Sequence, residues 1–370
     1  MKFGVGVVGA TGYIGTPYRK EIRESPAQAR IVALCARRRD LLMQAAEQDQ
    51  AVLATDDWRE VVDHPDVNLI LVTTPDALHY EPVLACARLR KHLFCEKPIA
   101  ANIAEAREMW QAINDAGVGH YVPFWTRYVP VCRRARELVQ AGTLGEIKGV
   151  IYRWHNPRPF GMPFTWRDDA ALSSAGSLAD VGSHAYDTMR WLIDDEADRV
   201  LCHADVITPA KPDLGTINLE EALNAGKSAA PSAASPMKKG TAYDFADVAI
   251  QFQSGAVGSL VLSHAPFFRK GLAPEIELHG TSASLAVDRT KSTITLARQG
   301  EEPILLETVA DPGIGNRFSK YVFPALEERI AGRPTEHPGL DDGYRVQLFT
   351  DAAALSAREG RWVSLRELDG

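Results

Sequence analysis

The sequence has no apolar run long enough to cross a membrane, no CxxC pair and no surplus of basic residues. The first absence excludes a helical membrane span. The second excludes common zinc and dithiol redox sites. The five cysteines, Cys35, Cys86, Cys95, Cys132 and Cys202, are scattered and odd in number, so reduced buried thiols in a cytoplasmic protein are expected. The net charge of −7 excludes a nucleic-acid surface, and any anionic cofactor must be met by local positive groups. No His/Asp/Glu set has metal-ligand spacing, so no metal is expected. The apolar run Phe3–Ala10 is short and glycine-rich, with Arg19 and Lys20 soon after. It reads as a strand rather than a signal peptide.

What is present is the composition of an ordinary globular protein: 370 residues, 45% hydrophobic and 24% charged, a length that fits two domains. The first third alternates strand and helix signals. Strands are expected at Phe3–Val8, Ile31–Ala36, Leu69–Val72, His92–Cys95 and His120–Val122. Helices are expected from the glycine turn to about Arg23, and at Asp40–Gln48, Ala77–Arg90 and from an Asn102 cap to Ala116. That alternation implies right-handed βαβ units and a doubly wound parallel sheet.

The pattern then changes to α+β with a large, mostly antiparallel open sheet. A helix is read at Val131–Ala141, a strand at Ile147–Trp154 and a long helix within Ser173–Ile193. Hairpins turn at Ser254-Gly255 and Gly280-Thr281-Ser282. Helices close the chain at about Ser319–Ala331 and Asp342–Arg358. The expected division is a first domain over 1–123 and a second over 124–370. The stretch Thr208–Gly240 is rich in Ala, Pro, Lys, Ser and Gly. It marks a surface insertion over 207–243, with a short helix near Leu219–Asn224.

Gly9-Ala10-Thr11-Gly12-Tyr13-Ile14-Gly15 lies between the first strand and the first helix. Glycines there let backbone N–H groups approach a pyrophosphate, and the helix N-terminus adds favourable partial charge. A literal GxGxxG at Gly4–Gly9 lies inside the strand and is discounted. The second strand ends at Ala36-Arg37-Arg38-Arg39, where an acid would bind the ribose 2′-hydroxyl of NAD. Ala36 cannot do so, whereas Arg37 and Arg38 suit a 2′-phosphate. The expectation is NADP in preference to NAD.

Two clusters carry reaction chemistry. Cys95-Glu96-Lys97-Pro98 ends a parallel strand, the edge at which such sheets hold ligands. Asp180 and His184 are four apart and share one helix face. A histidine can accept a hydroxyl proton, an ammonium can stabilise developing alkoxide, and a carboxylate can orient either partner.

With these residues the chain resembles the Gfo/Idh/MocA family of NAD(P)-dependent oxidoreductases. Thr74-Pro75 with His79 resembles its TPxxxH segment. Lys91–Pro98 resembles its KHVxCEKP segment. Ala175–His184 with Asp187 resembles its GGGxLxDxGxH signature, and Asp341–Ser356 with Gly360–Val363 resembles its closing helix and strand. The resemblance covers nearly the whole chain and implies a Rossmann dinucleotide-binding domain over 1–123 followed by a substrate-binding and oligomerisation domain over 124–370. It implies that Lys97, Asp180 and His184 are the catalytic group and that the Thr74–His79 segment, Glu96 and Lys97 line the nicotinamide side. It also implies a cis Lys97–Pro98 bond and an open sheet that forms a homodimer or homotetramer. The GxxGxxG turn and the long insertion depart from the family's usual form.

The substrate candidates beyond the catalytic group are Arg127, Trp154, Arg158, Trp166 and Arg167. Trp faces suit the C–H faces of sugar rings, and Arg suits hydroxyls. Core packing is the competing reading for both tryptophans, and a structural role the competing reading for Arg127. His155, His264 and His279 read as sheet residues. The function expected is hydride transfer between a nicotinamide cofactor and a secondary alcohol of a pyranoside, anhydrosugar or cyclitol. An aldose 1-dehydrogenase or keto-sugar reductase is the neighbouring alternative. A non-catalytic NADP-binding regulator is the alternative of another class; a regulator has no need of Lys97, Asp180 and His184 together.

Overall fold

The computed structural model describes residues 2–215, 217–227 and 235–369. The chain packs as two compact units. The first comprises 1–123, 216–221 and 315–347; the second comprises 124–215, 222–314 and 348–370.

The first unit holds strands β1 (Phe3–Val8), β2 (Ala29–Cys35), β3 (Leu53–Thr55), β4 (Leu69–Val72), β5 (His92–Cys95) and β6 (His120–Tyr121). Its early helices are α1 (Gly15–Arg23), α2 (Arg39–Asp49), α3 (Trp58–Asp63), α4 (Tyr80–Arg88) and α5 (Ile103–Ala116). All strand pairs are parallel, in the order β3-β2-β1-β4-β5-β6. Every residue of β1 and β4 is buried, because helices cover both faces of such a sheet and leave no side for alternation. The order reverses between β1 and β4, and a ligand is expected beyond the strand ends at that crevice. The Asn102 side chain accepts from the Glu105 N–H at 3.0 Å and starts α5; Gly117, at φ 63°, ends it. β3 and α3 carry too few residues to give a periodic signal and escape the sequence reading.

The second unit begins with α6 (Pro130–Gln140), β7 (Ile147–His155), α7 (Ser177–Ile193), β8 (Ala197–Asp205) and β9 (Lys211–Pro212). Helix α8 (Leu219–Lys227) and β10 (Met237–Lys238) follow, then β11 (Phe245–Phe252), β12 (Val257–Ser263), β13 (Ile276–Gly280), β14 (Ser284–Asp288), β15 (Thr293–Ala297) and β16 (Ile304–Thr308). Helices α9 (Phe323–Ile330) and α10 (Leu340–Glu359) and strand β17 (Val363–Ser364) come last. Of these, α9 and α10 up to Gln347 belong to the first unit, as does the start of α8. Phe323 of α9 stacks on Phe3 of β1, with ring centroids 5.4 Å apart.

The large sheet has the order β16-β15-β14-β13-β7-β12-β11-β8-β17, and only β12 with β7 runs parallel. Ala246, Val248, Ile250 and Phe252 of β11 are buried while Asp247 and Ala249 face water, the period-two pattern of a one-sided sheet. Helix α7 covers the buried face. A Cβ on Gly182 would stand 2.8 Å from Leu262 Cδ1 of β12, so the glycine between Asp180 and His184 lets the helix lie close on the sheet. The insertion is less superficial than its composition suggests. Lys211, Pro212 and Ala222 are buried, and the Phe164 N–H donates to the Pro212 carbonyl at 2.8 Å. Thr216 and 228–234 lie outside the described residues. Among the described residues, no helix is long and apolar enough to cross a membrane.

Candidate active site

In the first unit, the turn after β1 is built around glycine for steric reasons. Gly9 sits at φ 93°, and a Cβ there would stand 2.8 Å from the Thr73 carbonyl carbon. A Cβ on Gly15 would meet the Gly9 carbonyl oxygen at 2.4 Å. Buried Arg19 of α1 donates to the Ala10 carbonyl at 3.0 Å and pairs with Asp49, pinning the loop from behind. The α1 N-terminus has no side-chain cap. A bare helix start beside a glycine cradle is the arrangement that accepts a pyrophosphate. The residues present therefore fit a dinucleotide, with Gly9, Ala10, Thr11, Gly12, Tyr13 and Ile14 the ones that would hold it. Arg37 and Arg38 stand past the end of β2; Arg37 is exposed and Arg38 half-buried.

The strand-end segments are tied together in the same unit. The His79 ring is buried, with Nε2 2.9 Å from the Thr74 carbonyl and Nδ1 3.1 Å from the carbonyls of Pro98 and Ile99. It staples the Thr74-Pro75 loop to the segment after β5, so it positions that loop rather than reaching for a ligand. Glu96 accepts from the Tyr18 hydroxyl at 2.5 Å and from the Lys97 N–H at 3.2 Å. Lys97 is half-buried, and the Lys97–Pro98 bond is cis.

In the second unit, α7 carries Asp180 and His184 one turn apart. The Trp154 ring lies nearly parallel to His184, centroids 5.8 Å apart, and the Phe124 ring meets His184 edge-on at 6.2 Å. Arg289 covers Trp154, its guanidinium carbon 4.0 Å from the ring centre. Trp154 is half-buried and lies against the histidine.

Asp180 is faced by two guanidinium groups and a histidine. Its Oδ2 lies 3.3 Å from Arg167 Nε, 3.5 Å from Arg158 Nη2 and 3.3 Å from His264 Nε2. Arg167 also lies over the Trp166 ring, 4.4 Å from its centre. Beneath them Asp168 accepts from Lys211 Nζ at 2.6 Å and from the Thr165 N–H at 2.9 Å. Burial would raise the Asp168 carboxyl, but Lys211 and Arg158 outweigh it and hold it below its usual range. Burial, aided by Arg158, pushes His264 down to about 4 despite the pull of Asp180, so its ring is neutral at pH 7.

Arg127 engages Asp187 with both arms of its guanidinium, Nε to Oδ2 at 2.8 Å. Both groups are buried, so Arg127 supports α7, the structural alternative weighed for it, and is not poised for a ligand. Two contributors escape the sequence reading. His264 follows β12 directly and looks like a sheet residue, yet it faces Asp180 from 84 positions away. Lys211 sits in a low-complexity insertion and gives no signal of its link to Asp168. The pairing of Arg38 with Glu221, at 2.7 Å, is likewise invisible in the chain order.

A parallel sheet with a dinucleotide cradle at its switch point, joined in one chain to an open-sheet unit bearing an Asp/His helix, defines a nicotinamide-dependent oxidoreductase. The comparisons with known proteins agree. An oxidoreductase-family model for the NAD-binding Rossmann fold matches residues 3–124, and the GFO/IDH/MocA C-terminal domain model matches 132–286. The chain belongs to the Gfo/Idh/MocA oxidoreductase family. It is 27% identical to a levoglucosan dehydrogenase of Pseudarthrobacter phenanthrenivorans, over 89% of this chain and 88% of that protein. It is 26% identical to a myo-inositol 2-dehydrogenase of Thermotoga maritima, over 99% of each. Among solved structures, levoglucosan dehydrogenase in complex with NADH shares the fold, with a TM-score of 0.81, 23% identity and 99% of both chains covered.

Proposed function

We propose that this enzyme oxidises a secondary alcohol on a pyranoside, anhydrosugar or cyclitol, or reduces the corresponding ketone, with residues 1–123 holding the cofactor and 124–370 the substrate. When bound, the nicotinamide ring takes or supplies the hydride. His184 accepts the hydroxyl proton in the oxidative direction and returns it in the reductive one. The Lys97 ammonium binds the reacting oxygen and stabilises the charge that develops on it. Asp180, steadied by Arg158 and Arg167, orients a substrate hydroxyl or the histidine. Trp166, carrying Arg167 on its face, offers a C–H-facing platform beside hydroxyl donors.

The observation that carries this reading is the α7 turn itself. His184 is held between Trp154 and Phe124, and the carboxylate one turn earlier is gripped by two guanidinium groups. That is an orientated proton acceptor next to a fixed polar anchor, which suits a polyhydroxylated substrate. The full-length relatives named for levoglucosan and myo-inositol support the anhydrosugar and cyclitol classes.

At the adenosine end, Arg37 and Arg38 offer positive charge for a 2′-phosphate, and Glu221 beside Arg38 opposes it. All five thiols are free and buried, and burial first of all pushes Cys86, Cys132 and Cys202 up to about 12. Inert reduced thiols suit a cytoplasmic setting. Ile304, Leu305 and Leu306 of edge strand β16 are exposed, and covering them supports a homodimer or homotetramer through the sheet.

The test is reduced-nicotinamide absorbance with purified enzyme, NAD or NADP, and a panel of free sugars, glycosides, anhydrosugars and cyclitols. Turnover with an anhydrosugar or cyclitol is expected. No turnover of any member with either cofactor, and none of the corresponding ketones with NADH or NADPH, would overturn the assignment.

A further inference from the structure

We propose that Glu221, from the insertion, sets the cofactor preference by occupying Arg38, and that the enzyme consequently prefers NAD(H) to NADP(H). The proposal rests on reading the Gly9–Gly15 turn as the cofactor cradle. In such folds the residue that meets the ribose 2′-position stands at the end of the second strand. Here β2 ends at Cys35, Ala36 brings no acid, and Arg38 is the residue just before α2. Read alone, Arg38 is a 2′-phosphate ligand.

The structure gives that arginine a partner 183 residues away. Arg38 Nη1 donates to Glu221 Oε1 at 2.7 Å, and Asp40 Oδ2 stands 3.8 Å from Arg38 Nη2. Glu221 is not a loosely draped surface carboxylate. The Asn218 N–H donates to Glu221 Oε2 at 2.8 Å, while the Glu221 N–H donates to Asn218 Oδ1 at 2.8 Å. This reciprocal cap fixes the first turn of α8. One carboxylate oxygen therefore serves the helix and the other faces Arg38. The Asn218 N–H first, and then Arg38, hold the Glu221 carboxyl below its usual range.

The consequence follows from charge. A 2′-phosphate must share Arg38 with Glu221 and sit beside Glu221 and Asp40, two like charges. A 2′-hydroxyl meets no such repulsion and can donate to the same carboxylate. The acid missing from the end of β2 is thus supplied by a distant segment. Glu221 is a specificity-determining residue, and the insertion that carries it gains a role.

The decisive measurement is the dissociation constant of NADH and of NADPH, read from nicotinamide fluorescence without substrate. Wild-type enzyme is expected to bind NADH at least about tenfold more tightly. Glu221→Gln keeps an acceptor for the helix cap and removes the charge. It is expected to tighten NADPH binding about tenfold, equivalent to about 1.4 kcal/mol, with NADH little changed. Glu220→Gln removes an exposed charge from the adjacent position and is expected to alter neither. Should Glu221→Gln fail to fold, Glu221→Ser answers instead: it removes the same charge and is expected to tighten NADPH binding in the same direction, with NADH little changed. Unchanged selectivity in Glu221→Gln or Glu221→Ser, or tighter NADPH than NADH binding in the wild type, would overturn the role of Glu221 and leave the cradle intact. Binding of neither cofactor by folded wild-type enzyme would overturn the cradle reading and the proposal with it.

Discussion

Acidification should weaken the second unit through one histidine, and replacing that histidine should remove the effect. His264 is 4% exposed and its pKa falls from 6.5 to about 4, because burial and Arg158 outweigh the attraction of Asp180. The depressed value means that the unfolded chain binds a proton in the interval from pH 6.5 to 4 that the folded chain refuses. Stability is then fully present above pH 6.5 and falls as pH drops toward 4. The loss from this residue is about 2 kcal/mol between pH 7 and pH 5, approaching about 3 kcal/mol at pH 4. Arg167 faces the same carboxylate, so protonating His264 crowds a third cation around Asp180. Urea midpoints at pH 7, 6, 5 and 4.5 for wild type and His264→Gln measure the difference. The variant keeps a polar side chain without a titrating ring. Its curve should fall less steeply by about 2 kcal/mol at pH 5. Parallel curves for the two proteins would refute the reasoning, since carboxylates and His120, also pushed down to about 4 by burial, are common to both.

Two further changes probe the catalytic assignment and its support. Lys97→Ala and His184→Ala should each lower kcat/KM by about 10²–10⁴-fold while NADH binding, read by fluorescence, changes little; near-normal turnover in either would remove that residue from the chemistry. Asp187→Asn leaves Arg127 buried with its charge uncompensated and should cost about 3–5 kcal/mol of stability by thermal or urea unfolding. A cost under about 1 kcal/mol would mean that the pair behaves as an exposed one.

The sequence by itself determined what depends on near neighbours in the chain. The glycine turn was legible because a positive φ and a close backbone approach restrict the residue at Gly9. The Asn102 cap, the hairpin at Ser254-Gly255 and the one-turn spacing of Asp180 and His184 rest on bonds or angles within a few residues, and the described elements fall where those signals lie. Long apolar runs announced β1 and β4 because both faces are covered.

Tertiary structure decided the rest. Strands β3, β15 and β16 are three to five residues long and exist through the strands they pair with. Segments 216–221 and 315–347 join the first unit although chain order places them after the second has begun. The partner of Arg127 is Asp187, 60 positions away, and that of Trp154 is His184, 30 positions away; neither pairing follows from chain order. Arg38 illustrates the physical reason most directly. Its type and position point to a 2′-phosphate, but the carboxylate that answers it comes from 183 residues away. A side chain's chemistry is carried in the sequence; the charge it faces is set by folding, because Coulomb and hydrogen-bond energies depend on distance in space and not on separation along the chain.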